Sequence, residues 1–560
     1  VTGHSAGARR ANYAVDLDCG RLSYNDQMIN ILCDTFGQEF TREEIDMDAD
    51  ALAEERLTAE QMEYYRYLSE ETHEKVDNSV FALFCLGMKE YKLLTREEAT
   101  VGGYQVMRNG QVNIGYNIGQ WDSYCNLITD DVAKDSWFTN GETINVDQWY
   151  VIDDAAESST QIGAWPDENV YASQEFKDAL ASRTLRMITE PPETHSKNFY
   201  SNTTNANTCE FFTAVFNYNR GELSDPTTVP LASDSQLWGW GHGANTVAML
   251  AMLFMLFPLA SLLMQTRFFA PCTSAPVAKK APFNKKSYWI WGAIIAFGTF
   301  WCIYYPCQSN SPVFKYFGFI DLPTNRFFPL YISGWSATQL LSYTGILALF
   351  CLLCWALTNR KKYGSTDLGV LNVGMKFKNI MKSLLLGAIL LLAAYMMLAI
   401  VEYLFSQDFR WWQVIFTQMK QEYWGILPRY FVTFVPCFLV LGMAANYNVR
   451  TDIPEWRDTL NTVIINSIGI WVCCFINWLV MRAKTPGGEA QFFASFITYY
   501  YTLLYVPITV YISRKFYKLT NNVWVGTFVN SFMASWFLVS STGINFIYAG
   551  TTFADIFFGF

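Results

Sequence analysis

Three side chains in the first 200 residues have the types and order of an acyl-transfer site. Gly3-His4-Ser5-Ala6-Gly7 places a serine between two glycines at the spacing G-x-S-x-G. A serine in that setting projects from a sharp turn between a strand and a helix. The glycines are needed because side chains at their positions would clash where the backbone packs closely. The backbone N–H of Ala6, at the start of the following helix, is then placed to stabilise a developing oxyanion. Asp122 ends the segment Val112–Asp122, which reads as a buried strand running into a Gly119 turn. His195 follows the short strand-like run 184–189 and precedes a helix-like run from about Thr203 to Phe216. A serine needs a base to take its proton, and the base needs an acid to orient it.

Each residue also has a plainer reading. Ser5 could be a helix N-cap in a chance match, and His195 an exposed loop histidine. Asp153 and Asp154, after the run 148–152, are alternative acids. The other histidines suit the role less: His4 lies inside the turn, His73 among acidic helices, and His242 at the start of an apolar run.

The order Ser5, Asp122, His195 resembles that of nucleophile, acid and base in the C-terminal half of the α/β-hydrolase superfamily (serine esterase- and lipase-like). The resemblance covers residues 1–220 and implies that Ser5 attacks an acyl carbonyl, His195 removes its proton and Asp122 orients the imidazole. It implies no metal and no organic cofactor. The earlier strands and the loop supplying the second oxyanion donor have no counterpart, and the chain opens on Val1 with no export signal. It is therefore expected to be the C-terminal portion of a longer protein, inactive by itself. Residues 22–100 exceed a simple helix-to-strand connection. Thr41-x-x-Glu44, Thr58-x-x-Gln61 and Thr95-x-x-Glu98 read as capping boxes, and Met62, Tyr65 and Leu68 recur at helical spacing. The stretch reads as a helical cap over the site, or equally as a surface insertion with a solvated charged face.

Composition divides the 560-residue chain near Gly243. Residues 1–243 carry 17 Lys and Arg against 40 Asp and Glu, whereas 244–560 carry 23 against 10. Forty carboxylates repel phosphates, so nucleic acid is excluded as a partner of the first part. After a linker at 221–243, the second part reads as an all-α domain of eight transmembrane helices, at about 244–264, 288–307, 338–357, 383–405, 429–446, 460–481, 492–513 and 523–543. Sixteen Lys and Arg fall in the loops of one side and seven in the others, which makes the first side cytoplasmic and puts residues 1–243 outside. Glu402 is the clearest charge near a span; Asn466 and Asn477 read as interhelical glue. Trp335, Trp411, Trp412 and Trp424 fall near span ends, as interfacial belts do. Cys351 and Cys354 form a lone CxxC within an apolar run and read as packing.

The expectation is a multi-pass cell-membrane protein, similar in build to membrane-fused bacterial hydrolases, whose extracytoplasmic domain cleaves a small or lipid-like ester. Two alternatives stay open. The acyl group could pass to an alcohol instead of water, or a non-catalytic hydrolase-like domain could serve a transporter or receptor.

Overall fold

A computed structural model describes residues 2–4, 21–38, 48–73, 81–86, 98–101, 104–107, 112–122, 145–153, 158–194, 197–216, 232–275, 285–304, 373–411, 414–446, 451–483 and 502–541, together with residues 11, 15, 40, 44, 329 and 330. The chain divides into two compact units, Val1–Gln236 with Met481–Ala490, and Leu237–Val480 with Gln491–Phe560.

The first unit is built on a six-stranded mixed sheet. Its strands are β1 (Thr2–His4), β2 (Ala82–Leu86), β5 (Asn113–Asn117), β6 (Gln148–Asp153), β7 (Ser158–Ala164) and β8 (Leu185–Thr189); β3 (Glu98–Val101) and β4 (Tyr104–Met107) form a separate antiparallel pair. The order across the main sheet is β1-β2-β5-β8-β6-β7. β1, β2, β5 and β8 run parallel, while β6 and β7 form an antiparallel hairpin beyond β8. β5 and β8 are buried throughout, as strands covered on both faces must be.

Helices α4 (Glu168–Ala172), α5 (Gln174–Ala181) and α6 (Asn202–Val215) follow β7 and β8. Phe211 of α6 packs on Phe84 at 5.0 Å and stacks on Trp149 at 6.0 Å between ring centroids. With Leu185, Met187, Phe176 and Ala179 these rings form the core on one face of the sheet.

Three helices, α1 (Arg21–Asp34), α2 (Ala49–Arg56) and α3 (Ala59–His73), form a small core of their own around Met28, Leu32, Leu52 and Tyr65. At the start of α3 the Thr58 N–H donates to Gln61 Oε1 at 3.0 Å and the Gln61 N–H to Thr58 Oγ1 at 3.4 Å, the reciprocal pair of a capping box. The helical stretch is shorter than the 22–100 expected. Ala82–Leu86 is a strand of the main sheet and Glu98 opens β3, so no helix begins at the third box. Thr41 and Thr95 lie outside the described residues.

The second unit is helical: α7 (Trp238–Met264), α8 (Lys286–Tyr304), α9 (Phe377–Phe405), α10 (Leu427–Asn446), α11 (Glu455–Ala483), α12 (Thr502–Thr520) and α13 (Trp524–Ser541), with a two-stranded ribbon of β9 (Phe409–Trp411) and β10 (Val414–Phe416). Among the described residues four helices, not eight, are long and apolar enough to cross a membrane: Trp238–Met264, Phe377–Phe405, Leu427–Asn446 and the Glu455–Ile476 part of α11. The first begins at Trp238, inside the expected linker. The expected spans at 288–307, 492–513 and 523–543 overlap α8, α12 and α13, which fall short for different reasons. For α8, Tyr288–Trp301 is the part of the apolar run that lies within the described residues. Arg514, Lys515 and Lys518 make α12 polar at its end. Thr527, Asn530, Ser531 and Ser535 punctuate α13. The span at 338–357, with Cys351 and Cys354, and Trp335 lie outside the described residues.

α13 is the centre of this bundle. Fourteen of its residues are buried, from Val525 to Val539, against α9, α10 and α12. A helix enclosed by other helices faces protein on all sides, so small hydroxyls cost little once bonded. Ser531 Oγ donates to the Thr527 carbonyl at 2.8 Å and Ser535 Oγ to that of Ser531 at 2.7 Å.

α11 and α12 run antiparallel and are joined near both ends. Pro507 lacks an N–H, so the Leu503 carbonyl one turn earlier has no helical donor. Trp471 of α11 supplies one: its Nε1–H donates to that carbonyl at 3.0 Å. At the other end Arg514 forms a buried ion pair with Asp458, and its Nη1 donates to Asn446 Oδ1 at 3.2 Å. Asp458 also accepts from the N–H and hydroxyl of Thr451 at 2.9 and 3.1 Å. The pair is not evident from the apolar runs, because both residues fall just outside them. Glu402, singled out instead, is an ordinary near-surface group whose Oε2 accepts from the Gln418 N–H at 3.1 Å. Asn466 is buried and donates to the Thr462 carbonyl of its own helix at 2.9 Å rather than across helices.

Candidate active site

The four parallel strands of the first unit all end at one edge of the sheet, and the three candidate residues follow three of these ends. Ser5 is the residue after β1, Asp122 is five residues after β5, and His195 is six after β8. Loops at the carboxyl ends of parallel strands are where ligands bind in open α/β sheets. Ser5, Ala6 and His195 themselves lie outside the described residues. Asp122 is described and is buried, at 2% exposure.

The loops after β5 and β8 are laced together. The Ile118 N–H donates to the Thr189 carbonyl at 3.0 Å, Gln120 to Pro191 at 2.8 Å and Trp121 to Glu193 at 2.9 Å. Trp121 pairs with Thr194 in a parallel bridge. Asp122 directly follows the paired Trp121, and the partner segment is described as far as Thr194. The contact requires Gly119, because a Cβ there would be driven into the backbone carbonyl of Glu193. The Asp122 N–H closes the turn onto the Gly119 carbonyl at 2.9 Å.

Register also separates the alternative acids. β6 is antiparallel to β8, with Gln148 opposite Ile188 and Val151 opposite Leu185. Asp153, at the far end of β6, is therefore at the edge where β8 begins, opposite to that of Asp122. Asp154 lies outside the described residues.

Three carboxylates that the sequence did not single out are at the same edge as Asp122. Asp147, just before β6, has φ of +56°, a backbone conformation uncommon for a residue with a side chain. It is held by its N–H to the Ile188 carbonyl at 2.8 Å and by the Thr189 hydroxyl, which donates to Oδ1 at 2.6 Å. Glu190, the first residue after β8, has its carboxyl pushed from the usual 4.5 up to about 7 by burial and, secondarily, by the negative charge of Asp147. Glu193 is 2% exposed. It accepts a hydrogen bond from Ser201 Oγ and one from Thr204 Oγ1 at 2.9 Å. Ser201 is also the N-cap of α6, accepting from the Thr204 N–H at 3.1 Å. Glu193 thus anchors the segment leading to His195 onto the N-terminus of α6, where a negative charge is stabilised. Asn117 continues the polar layer through Thr204 at 3.2 Å and Asn207 at 3.0 Å. These groups are distant in sequence from their partners, so no local pattern signals them.

Asn198, three residues past His195, is 1% exposed, and its side-chain amide has no hydrogen-bond partner among the described residues. Among the described residues no three His, Cys, Asp or Glu side chains gather as metal ligands would. No protein-family model matches the chain, and neither do curated proteins or solved structures.

Proposed function

We propose that the protein is a membrane-anchored serine hydrolase of α/β-hydrolase type that cleaves an ester. In this reading Ser5 is the nucleophile, His195 the general base, Asp122 the acid that orients it, and the Ala6 N–H an oxyanion donor. The observation that carries it is the pairing of the Asp122 loop with the loop that leads to His195, at the edge where β1 also ends before Ser5. Ser5 attacks the acyl carbonyl as His195 takes its proton. The imidazolium then protonates the leaving alcohol, and water, activated by the same imidazole, releases the acid. A buried Asp122 favours the imidazolium, and the hydrogen-bonded loops hold it in place without reorganisation. The four apolar helices support a bilayer location, which suits a lipid-like ester.

Fluorophosphonate labelling of the protein in its membranes tests the reading, because these reagents capture an activated serine and not a helix cap. Labelling is expected in the wild type and absent in Ser5→Ala and His195→Ala. Asp122→Asn should slow it by on the order of 10²–10⁴. Asp153→Asn should leave it unchanged, since that strand end is at the opposite edge. A folded wild type that does not label, or a Ser5→Ala variant that does, overturns the proposal.

A further inference from the structure

Between α7, α11 and α12 runs a groove of about 500 Å³, within the roughly 300–1,000 Å³ of ligand sites. Leu253 and Phe257 of α7, Leu460 and Val463 of α11 and Ile508 of α12 give it a hydrocarbon lining. Two of its three walls belong to helices long and apolar enough to cross a bilayer. Among the described residues its single charged lining residue is Lys515, whose side chain is 34% exposed. Lys515 lies level with the first turn of α11, where its Nζ is 3.6 Å from Glu455 and 5.7 Å from the ring centre of Tyr511. The groove is therefore apolar along its length and cationic at one end.

The carboxylates nearby are already engaged. Asp458 is paired with the buried Arg514, and Glu455 is closer to Lys518, at 3.2 Å, than to Lys515. Trp456, at the same end and also lining the groove, carries Arg457 5.0 Å from its ring centre. Cations beside an aromatic pair at a helix end are the groups that meet lipid phosphates. The proline that removes a backbone donor from α12, Pro507, also lines the groove, and the Trp471 bond keeps α12 attached to α11 there.

We propose that this groove holds one acyl chain of an anionic phospholipid, with the lipid phosphate on Lys515 Nζ. The hydrocarbon lining supplies affinity for the chain without regard to headgroup, and Lys515 supplies the preference for net negative charge. The site is on the second unit and is independent of Ser5 chemistry.

The test is native mass spectrometry of the full chain in detergent, incubated with dioleoyl phosphatidylglycerol, phosphatidylcholine or phosphatidylethanolamine. The wild type should retain phosphatidylglycerol about fivefold over phosphatidylcholine, the factor expected of one cation at a lipid surface. Lys515→Ala should bring that ratio to one, while Lys378→Ala, outside the groove, leaves it unchanged. Leu460→Trp, at a position 49% exposed and so tolerant of bulk, should lower retention of every lipid severalfold, with helical content unchanged by circular dichroism. Equal retention of phosphatidylglycerol and phosphatidylcholine in the wild type, or a preference that survives Lys515→Ala, overturns the proposal. So does stronger retention of phosphatidylethanolamine, which would make Glu455 the headgroup contact.

Discussion

A carboxyl group that ionises near pH 7 lies at the edge of the sheet where β5 and β8 end. Burial and the neighbouring Asp147 raise the Glu190 pKa from 4.5 to about 7. The folded protein therefore binds this proton more tightly than the unfolded chain does. That contribution to stability is complete below about pH 4.5 and is lost as pH rises through 7. Glu190→Gln removes the titration, so its Tm relative to wild type should climb between pH 5 and pH 8, followed by circular dichroism across that range. A difference that is flat with pH would show that Glu190 ionises normally. Residues of this kind were not legible in the sequence. Ser5, Asp122 and His195 stand out because each is tied to a local pattern of glycines or a strand. Glu190 and Glu193 look like surface acids in a Pro-rich loop. Glu193 is held at the N-terminus of α6 by Ser201 and Thr204, and Glu190 feels the charge of Asp147, which is 42 residues from its own partner Thr189.

Among elements, strands β5, β6 and β8 and helix α6 were legible because apolar runs of the right length end in turn residues. β2 was hidden. Its five residues, Ala82–Leu86, form an apolar run between segments with helical capping signals, and only pairing with β1 and β5 makes them a strand. α12 shows the reverse case, in which one residue's chemistry dictates a contact in another helix. Pro507 frees the Leu503 carbonyl, and Trp471 answers it. Trp471→Phe should therefore destabilise the bundle by about 1 kcal/mol. In a Pro507→Ala background the helix regains its own donor, and the same substitution should cost less. A double-mutant cycle on detergent-solubilised protein measures the difference. Additive effects would mean that the indole bond is incidental.

For the whole molecule, the charge break at Gly243 and the apolar second part were plain from composition, but the span count was not. The runs at 492–513 and 523–543 differ from the four spanning helices in what they carry: α12 ends in Arg514, Lys515 and Lys518, and α13 holds Thr527, Asn530, Ser531 and Ser535. Arg514 and Asp458 look like loop charges and are buried. Arg514→Met leaves the buried Asp458 carboxylate only the more distant Lys518, at 3.9 Å, and should cost up to roughly 3–5 kcal/mol. Adding Asp458→Asn should recover much of this, because the amide oxygen still accepts from Thr451. Thermal unfolding of both variants in detergent measures the recovery, and a double variant no better than the single one contradicts the ion-pair account. The position of α13 also bears on how the protein is made. The helices that enclose it, α9, α10 and α12, all precede it in the chain. During synthesis they are in place while the slot they surround still lacks its occupant. The bundle can close only after residue 541 has left the ribosome, so a nascent chain halted at Asn521 is an open assembly and a natural target for quality control.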